Sequence, residues 1–338
     1  MARRGGWRRK GRKGNFHYVD SRGKKITDPE KVARIEALVI PPAWRDVWIS
    51  PRPKAKLQAT GLDRAGRRQY LYHPEFRAQQ EQAKFDRLVS FAERLPNLRQ
   101  AMSEHMEEEP LSPEWTCAVA VRLINLGWFR VGTERYARST RTFGITTLRK
   151  KHVSVRGSRI SFKYRAKHRV LVRTAVVDSE LAGALKTLLD VPGAGRLFRY
   201  ERDGAYCHLT GAHLNEYIRQ YLGDEFTAKD FRTWGGTLLA AIAFAEQGVP
   251  ESEAEAKRKV AAVMRLVGEK LGNTAAVART SYVSPAVVEQ YLDGRTIDDF
   301  RPRHLRVVGA RDIGLDLEER ALLALLRSWR IRRSRLAA

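Results

Sequence analysis

Tyr282 closes the run Leu271-Gly-Asn-Thr-Ala-Ala-Val-Ala-Arg-Thr-Ser-Tyr282, nine residues after Asn273. Upstream stand Lys229-Asp-Phe-Arg232 and, further back, Arg130 and Lys167. A phenol, two arginines, two lysines and an amide are a set suited to attack on a phosphodiester without a metal ion. The phenol is the nucleophile, the guanidinium groups stabilise charge on the phosphoryl oxygens, and a lysine protonates the departing oxygen.

Each residue type has a reason to be in such a set. Arginine stays protonated at any working pH and meets phosphate with a two-pronged fork. A 5′ oxygen leaves poorly as an alkoxide, and Lys167 can supply its proton if neighbouring arginines lower its pKa from about 10.4 toward neutrality. Tyrosine, with a reference pKa near 10, is sluggish until its proton is removed. A phosphotyrosine product is still a diester, so the freed hydroxyl can reverse the step without ATP.

The elements that would hold these residues are legible in outline. Leu123, Leu126 and Phe129 are read as one apolar face leading into Arg130. Val260, Val263, Met264, Val267 and Leu271 recur at i, i+3, i+4, i+7 and i+11, a helical stripe just before Asn273. One β element interrupts this helical region. His152–Arg156 and Ile160, Phe162 and Tyr164 alternate about a turn at 156–158, and a second turn at 165–168 leads into 169–173, which puts Lys167 at a hairpin tip. Before residue 80, Pro41-Pro42, Pro51, Pro53, Gly61 and Gly66 cut the chain into strand-length pieces with one helix over Asp28–Leu38. Residues 78–94 read as a connection into the first helix of a second unit. The expectation is an α+β chain. Residues 1–83 form a small β-rich domain, and 84–338 a larger, mainly α-helical domain with a small antiparallel sheet. Trp44 and Trp48 are expected in the core of the small domain.

Composition agrees with a polyanionic partner. Lys plus Arg number 63 against 38 Asp plus Glu, a net charge of +25, and nucleic acid is the commonest partner for such an excess. Basic residues crowd both ends, and are read as a flexible arm over 1–14 and a basic tail over the last twelve residues. Acidic residues at Glu104–Glu109 and Glu251–Glu255 read as solvated helix ends or loops. Two cysteines exclude a disulfide framework and point to a reducing, cytoplasmic setting, nucleoid-associated if the source is bacterial. No run of eighteen apolar residues suggests a membrane span. No phosphate loop of the Gly-x-x-x-x-Gly-Lys-Ser/Thr type suggests an ATP motor, and no Asp-x-Asp pair suggests a magnesium site. Cys207, His208 and His213 lack a fourth partner at zinc-like spacing. No metal, cofactor or nucleotide is expected.

The motifs, taken together, resemble the small type IB DNA topoisomerases of poxviruses and bacteria. Leu38-Val-Ile-Pro-Pro-Ala-Trp44 and Leu57-Gln-Ala-Thr-Gly-Leu-Asp-Arg-Ala-Gly-Arg-Arg-Gln-Tyr-Leu-Tyr-His73 carry the likeness in the first domain. Phe129-Arg-Val-Gly132, Phe143-Gly-Ile-Thr-Thr-Leu148, Lys229-Asp-Phe-Arg-Thr-Trp234 and Gly272 to Tyr282 carry it in the second. The resemblance implies a two-domain clamp that closes on double-stranded DNA as a monomer. Tyr282 would form a 3′-phosphotyrosyl link and release a 5′-hydroxyl strand, so that supercoils relax by rotation before religation. Arg130, Lys167 and Arg232 take the remaining catalytic positions and Lys229 an auxiliary one. Asn273 stands where many members carry histidine. Its amide can donate to a phosphoryl oxygen but cannot act as acid or base, which leaves proton transfer to Lys167. Thr140 likewise stands where asparagine is expected. Gln69, Tyr70, Tyr72 and Tyr136 are read as DNA contacts; in a strand Tyr70 and Tyr72 share a face, and sheet packing is the alternative.

Two other readings remain at this stage. Tyrosine recombinases share the Arg, Lys, Arg and Tyr chemistry, but their second motif usually reads His-x-x-Arg where this chain has Lys229-x-x-Arg232. A non-catalytic architectural DNA binder would use the charge alone, and replacing Tyr282 would then change nothing.

Overall fold

Asp28 opens the first helix by accepting hydrogen bonds from the Glu30 and Lys31 amides, with Pro29 in the first turn, so α1 runs Pro29–Ala37. The computed structural model describes residues 5–193, 195–301 and 313–337. Its chain divides into two units, Met1–Lys84 and Phe85–Ala338.

In the first unit β1 (Trp7–Arg12), β2 (Asn15–Val19), β3 (Arg45–Ile49), β4 (Leu57–Leu62) and β5 (Arg68–Tyr72) form one antiparallel sheet in the order β2-β1-β3-β4-β5. Ile35 of α1 packs with Val47, Ile49 and Ala59, and Trp7, Tyr18, Trp44 and Leu71 surround them. Trp48 is only half-buried, its indole N–H donating to the Gly5 carbonyl at 2.7 Å. The arm expected over 1–14 is therefore a strand from Trp7 to Arg12. The dense positive charge hid the reason. Arg9 turns inward and donates to the carbonyls of Ile40 (3.1 Å), Pro41 (3.0 Å) and Trp44 (2.8 Å), with its guanidinium 4.2 Å from the Phe16 ring. Residues 1–4 lie outside the described residues.

α2 (Pro74–Asp86) follows. The second unit holds α3 (Leu88–Glu107), α4 (Pro113–Gly127), α5 (Glu134–Ser139) and the antiparallel sheet β6 (Val153–Arg156), β7 (Arg159–Arg165) and β8 (Leu171–Val177). Then come α6 (Ser179–Asp190), the hairpin β9 (Arg199–Arg202) and β10 (Ala205–His208), α7 (Gly211–Leu222), α8 (Asp230–Gln247), α9 (Glu253–Lys270), α10 (Ala275–Ser281), α11 (Pro285–Leu292) and α12 (Leu317–Ala337). The fold class is α+β.

α8 is the central element, buried from Asp230 to Leu238 without a break. Phe91 of α3 meets its Phe231 edge-on at 5.1 Å and packs on Trp234. The α9 stripe Val260, Val263, Met264 and Val267, with Leu271, is buried as its spacing requires. Where β6 to β8 were expected as the only β structure in this unit, β9 and β10 add a separate two-stranded sheet. The apolar face before Arg130 is also partly wrong. Leu123 and Phe129 are buried but Leu126 is exposed. Trp128 caps α4 in the left-handed conformation (φ 50°) and redirects the chain, so Phe129 reaches the core by a turn rather than by helical spacing. The basic tail read over the last twelve residues is the end of helix α12 as far as Ala337. Its Ala321, Leu322, Leu325 and Leu326 are buried, while Arg327 and Arg332 pair with Glu93 (2.6 Å) and Asp293 (2.8 Å). No helix among the described residues is long and apolar enough to cross a membrane.

Candidate active site

Arg130 is held by its backbone before its side chain does anything. Its carbonyl accepts from the Ile145 amide at 2.8 Å and the next carbonyl, of Val131, from Thr146 at 2.9 Å. That pairing needs Gly132 (φ 86°) against Gly144: a Cβ on Gly132 would lie 2.8 Å from the Gly144 nitrogen. From this anchor the Arg130 guanidinium reaches the loop between α9 and α10. Its Nη2 donates to the Gly272 carbonyl (3.1 Å) and to Asn273 Oδ1 (3.0 Å).

Arg232, in the first turn of α8, is buried. Its Nη1 donates to the Trp128 carbonyl (2.6 Å) and its Nη2 to the Leu271 carbonyl (2.7 Å), while Nε is buried with no protein partner among the described residues. Burial lowers the Arg232 pKa and Arg130 lowers it further, with Tyr282 acting in the opposite direction. Among the described residues neither arginine is ion-paired. A buried guanidinium held by backbone carbonyls, with no carboxylate partner among the described residues, is poised for an anion.

Tyr282 is that neighbour. It caps the end of α10, its amide donating to the Ala278 carbonyl (3.0 Å) and its own carbonyl accepting from Thr237 Oγ1 (3.0 Å). The Arg232 guanidinium carbon lies 5.0 Å from the ring centre. Burial pushes the phenol pKa up. The charge and hydrogen bond of Arg232, then Arg130 and Lys229, outweigh it and hold the group below its usual value. Tyr164, buried beside the same arginines, goes the other way: desolvation raises it to about 12 despite both cations. Of the two tyrosines near the arginines, only Tyr282 is tuned toward a phenolate.

Comparison with known proteins follows the same division of the chain. Residues 73–298 match the family model of the catalytic core of eukaryotic DNA topoisomerase I, and residues 15–63 that of the N-terminal domain of bacterial DNA topoisomerase IB. The DNA topoisomerase 1B of Acanthamoeba polyphaga mimivirus is 31% identical over 284 residues, 82% of this chain and 84% of that protein. The chain belongs to the type IB DNA topoisomerases. The DNA topoisomerase 1B of Vaccinia virus (strain Copenhagen) is 23% identical over 246 residues, covering 72% of this chain and 75% of its own. A solved XerH site-specific recombinase bound to palindromic difH substrate aligns with TM-score 0.38 and 16% identity over 58% of this chain and 49% of that one, a likeness too slight to bear on the site.

The structure thus brings Arg130, Arg232, Asn273 and Tyr282 together. Lys229, exposed before α8, adds its charge to the phenol's surroundings. Lys167 lies exposed on the β7–β8 turn, where His168 and Arg169 are both left-handed (φ 62° and 61°). Gln69 donates to Asp63 Oδ2 at 2.9 Å. Tyr70 and Tyr72 stack on the exposed face of β5 with ring centres 6.2 Å apart, so neither is used in core packing. Tyr136 is half-buried in α5, its carbonyl accepting from Thr140 Oγ1 at 3.0 Å. Between α5 and the β6–β8 sheet runs a cleft of about 580 Å3 whose rim holds Arg138, Arg141, Arg149, Lys151, Lys163 and Arg165 and no carboxylate. Cys207 and His208 sit on β10 and His213 on α7, and among the described residues no group of three or more His, Cys, Asp or Glu side chains gathers around a point.

Sequence reasoning missed the groups that hold the arginines of the enzyme. The Trp128, Leu271 and Gly272 carbonyls do so, and a backbone acceptor leaves no mark in residue type. Thr237 and Gly236 were missed as well. Gly236 allows α8 to touch the chain at Tyr282, since a Cβ there would lie 2.9 Å from the Tyr282 Cβ. Gly272, at φ 61° inside Leu-Gly-Asn, was the one visible signal of a shaped loop.

Proposed function

We propose that Tyr282 is the nucleophile with which this type IB topoisomerase cuts one strand of duplex DNA. The phenolic oxygen attacks the scissile phosphorus and its proton passes to solvent. The bond from phosphorus to the 5′ oxygen breaks, and that oxygen takes a proton from Lys167. The phosphate remains a diester, now joining the 3′ end to Tyr282, so attack by the 5′ hydroxyl restores the strand with no input from ATP or a metal ion. Between the two steps the free strand rotates and supercoils relax.

The placement of the Tyr282 ring centre 5.0 Å from the Arg232 guanidinium carbon supports this reading most, and the direction in which Arg232 and Arg130 move its pKa agrees with it. A phenol beside two guanidinium groups that have no carboxylate partner among the described residues is closer to its reactive form, and the same cations stabilise the extra charge on phosphorus in the transition state. Lys167 stands on an exposed turn, so the duplex itself has to bring the leaving oxygen within its reach. Gln69, Tyr70, Tyr72 and Tyr136 contact the duplex, and the cationic rim around Arg149 and Lys163 takes its phosphates. The enzyme acts as a monomer.

Relaxation of supercoiled plasmid with EDTA present and ATP absent, wild type beside Tyr282→Phe, tests this. Wild type should relax the plasmid and the variant should not. A folded, DNA-binding wild type that leaves the plasmid supercoiled would refute the reading.

A further inference from the structure

We infer that the cleft between α5 and the β6–β8 sheet is a pocket for a single nucleoside phosphate, its base on the floor and its phosphates at the cationic rim. The inference rests on the reading that this rim meets phosphates, deepens it, and is independent of the role of Tyr282.

Size sets the class of ligand first. A hollow of about 580 Å3 lies in the range of small-molecule sites, roughly 300–1,000 Å3, and holds a nucleotide where it could not hold a duplex. Charge comes next. Arg138 is paired with Glu134 (2.7 Å), but Arg141, Arg149, Lys151 and Lys163 are exposed with no carboxylate partner among the described residues. Those four alone would attract any polyanion. The floor narrows the choice. Half-buried Phe143 and exposed Leu171 present apolar surface to the face of a base. His152 and Tyr164, only 9% and 5% exposed, line the same cleft, and the His152 ring lies 4.5 Å from Phe143 and 6.3 Å from Tyr164, centre to centre. His152 Nδ1 accepts from the Arg149 amide at 3.1 Å, so the neutral ring carries its hydrogen on Nε2. Burial, then Lys151 and Arg149, keep that ring neutral by lowering its pKa to about 4. Among the described residues neither His152 Nε2 nor the Tyr164 hydroxyl has a hydrogen-bond partner. Buried polar groups of this kind are satisfied by water or by a ligand, and the edge of a base offers the acceptors they lack. A plain phosphate site needs the rim and has no use for two buried donors beside an aromatic floor.

Titration calorimetry of the full chain in EDTA compares ATP with inorganic triphosphate. Triphosphate concentrates its charge, so a rim acting alone binds it at least as tightly as ATP. ATP should instead bind about tenfold tighter, the scale of one stacked base. Tyr164→Phe keeps the packed ring and removes only the hydroxyl. It should weaken ATP by about three- to tenfold, the loss of one hydrogen bond, and leave triphosphate unchanged. Arg149→Ala with Lys163→Ala should weaken both probes. Triphosphate binding as tightly as ATP, or Tyr164→Phe weakening neither probe or both alike, would overturn the inference and leave the rim as a phosphate contact. Binding of neither probe would remove the rim reading as well, while relaxation of plasmid by wild type would still support Tyr282. A duplex carrying 2-aminopurine at successive positions then identifies the source of the nucleotide. Brightening at one position, lost in Tyr164→Phe, means that a strand of the DNA turns its own nucleotide into the cleft. A duplex that stays dim at every position, with ATP bound as above, means that the ligand is a free nucleotide.

Discussion

Tyr282 and Tyr164 face the same two arginines, and burial separates them. Tyr164 is raised to about 12 and stays a neutral packing group, whereas Tyr282 is lowered because Arg232 reaches its hydroxyl. Two groups of one type pushed apart by environment make Tyr282, not Tyr164, the nucleophile to test. The rising limb of the pH profile of adduct formation should therefore have its midpoint below 10, and Arg130→Ala should move that midpoint upward. Stopped-time gels of adduct across pH 6–11 read this directly, and an unmoved midpoint would remove Arg130 from the tuning. Tyr282→Phe should abolish the adduct while leaving duplex affinity within about twofold, because phosphate contacts dominate binding. His152 offers an independent titration. Burial, with Lys151 and Arg149 nearby, lowers its pKa to about 4, and its Nδ1 accepts from the Arg149 amide. Its folded value lies below the unfolded value of about 6.5. The unfolded chain thus binds the proton first, and stability is lost as pH falls from about 6.5 toward 4. His152→Gln should flatten that part of a melting-temperature profile.

At the scale of elements, α8 and α10 meet where neither tolerates more bulk. Gly236→Ala should raise intrinsic helix stability by up to about 1 kcal/mol, yet it drives a methyl group toward Tyr282, where a Cβ would lie 2.9 Å from both the Cβ and the carbonyl oxygen. Activity should fall at least tenfold with the protein still folded; an active variant would show that the contact relaxes freely. Thr237 bridges the same junction. Its hydroxyl donates within reach of the Thr233 and Tyr282 carbonyls and accepts from the Ser284 amide at 3.1 Å. Thr237→Val keeps the shape and strands these buried groups, at a cost of about 1–3 kcal/mol, which calorimetry would register as a melting point lower by several degrees. Such junctions explain why elements were easier to foresee than their contacts. The α9 stripe and the α1 cap are local patterns. Whether Leu126 is covered depends on the left-handed turn at Trp128.

Over the whole molecule, positive charge is partly spent on structure. Arg9 satisfies carbonyls of its own unit, Arg99 holds buried Glu319 at 2.7 Å, and Arg327 and Arg332 dock α12. The cleft rim is different, since Arg141, Arg149, Lys151 and Lys163 are exposed around a hollow with no carboxylate. Arg149→Ala with Lys163→Ala should flatten the plot of log affinity against log salt by about one to two units, against little change for Arg327→Ala. Equal slopes would place the phosphates elsewhere. In the second unit Glu319 of α12 joins Arg99 of α3 to the Trp234 indole of α8 (3.1 Å), so α3, α8 and α12 share one buried polar contact.

Residue order alone determined the α+β class, the stripe of α9, the β6–β8 hairpins and the set of groups able to handle a phosphodiester, because each is a pattern of type and spacing along the chain. Only the tertiary structure decided that residues 7–12 form a strand, that the last basic stretch is a packed helix, and that Lys167 stays exposed while Arg232 is buried. It also decided that Asn273 turns its oxygen to Arg130 and that Leu271, Gly272 and Trp128 hold the arginines. Those outcomes depend on carbonyl directions, burial and contacts between residues as far as 244 positions apart, and none of these is a property of a residue or its neighbours in the sequence.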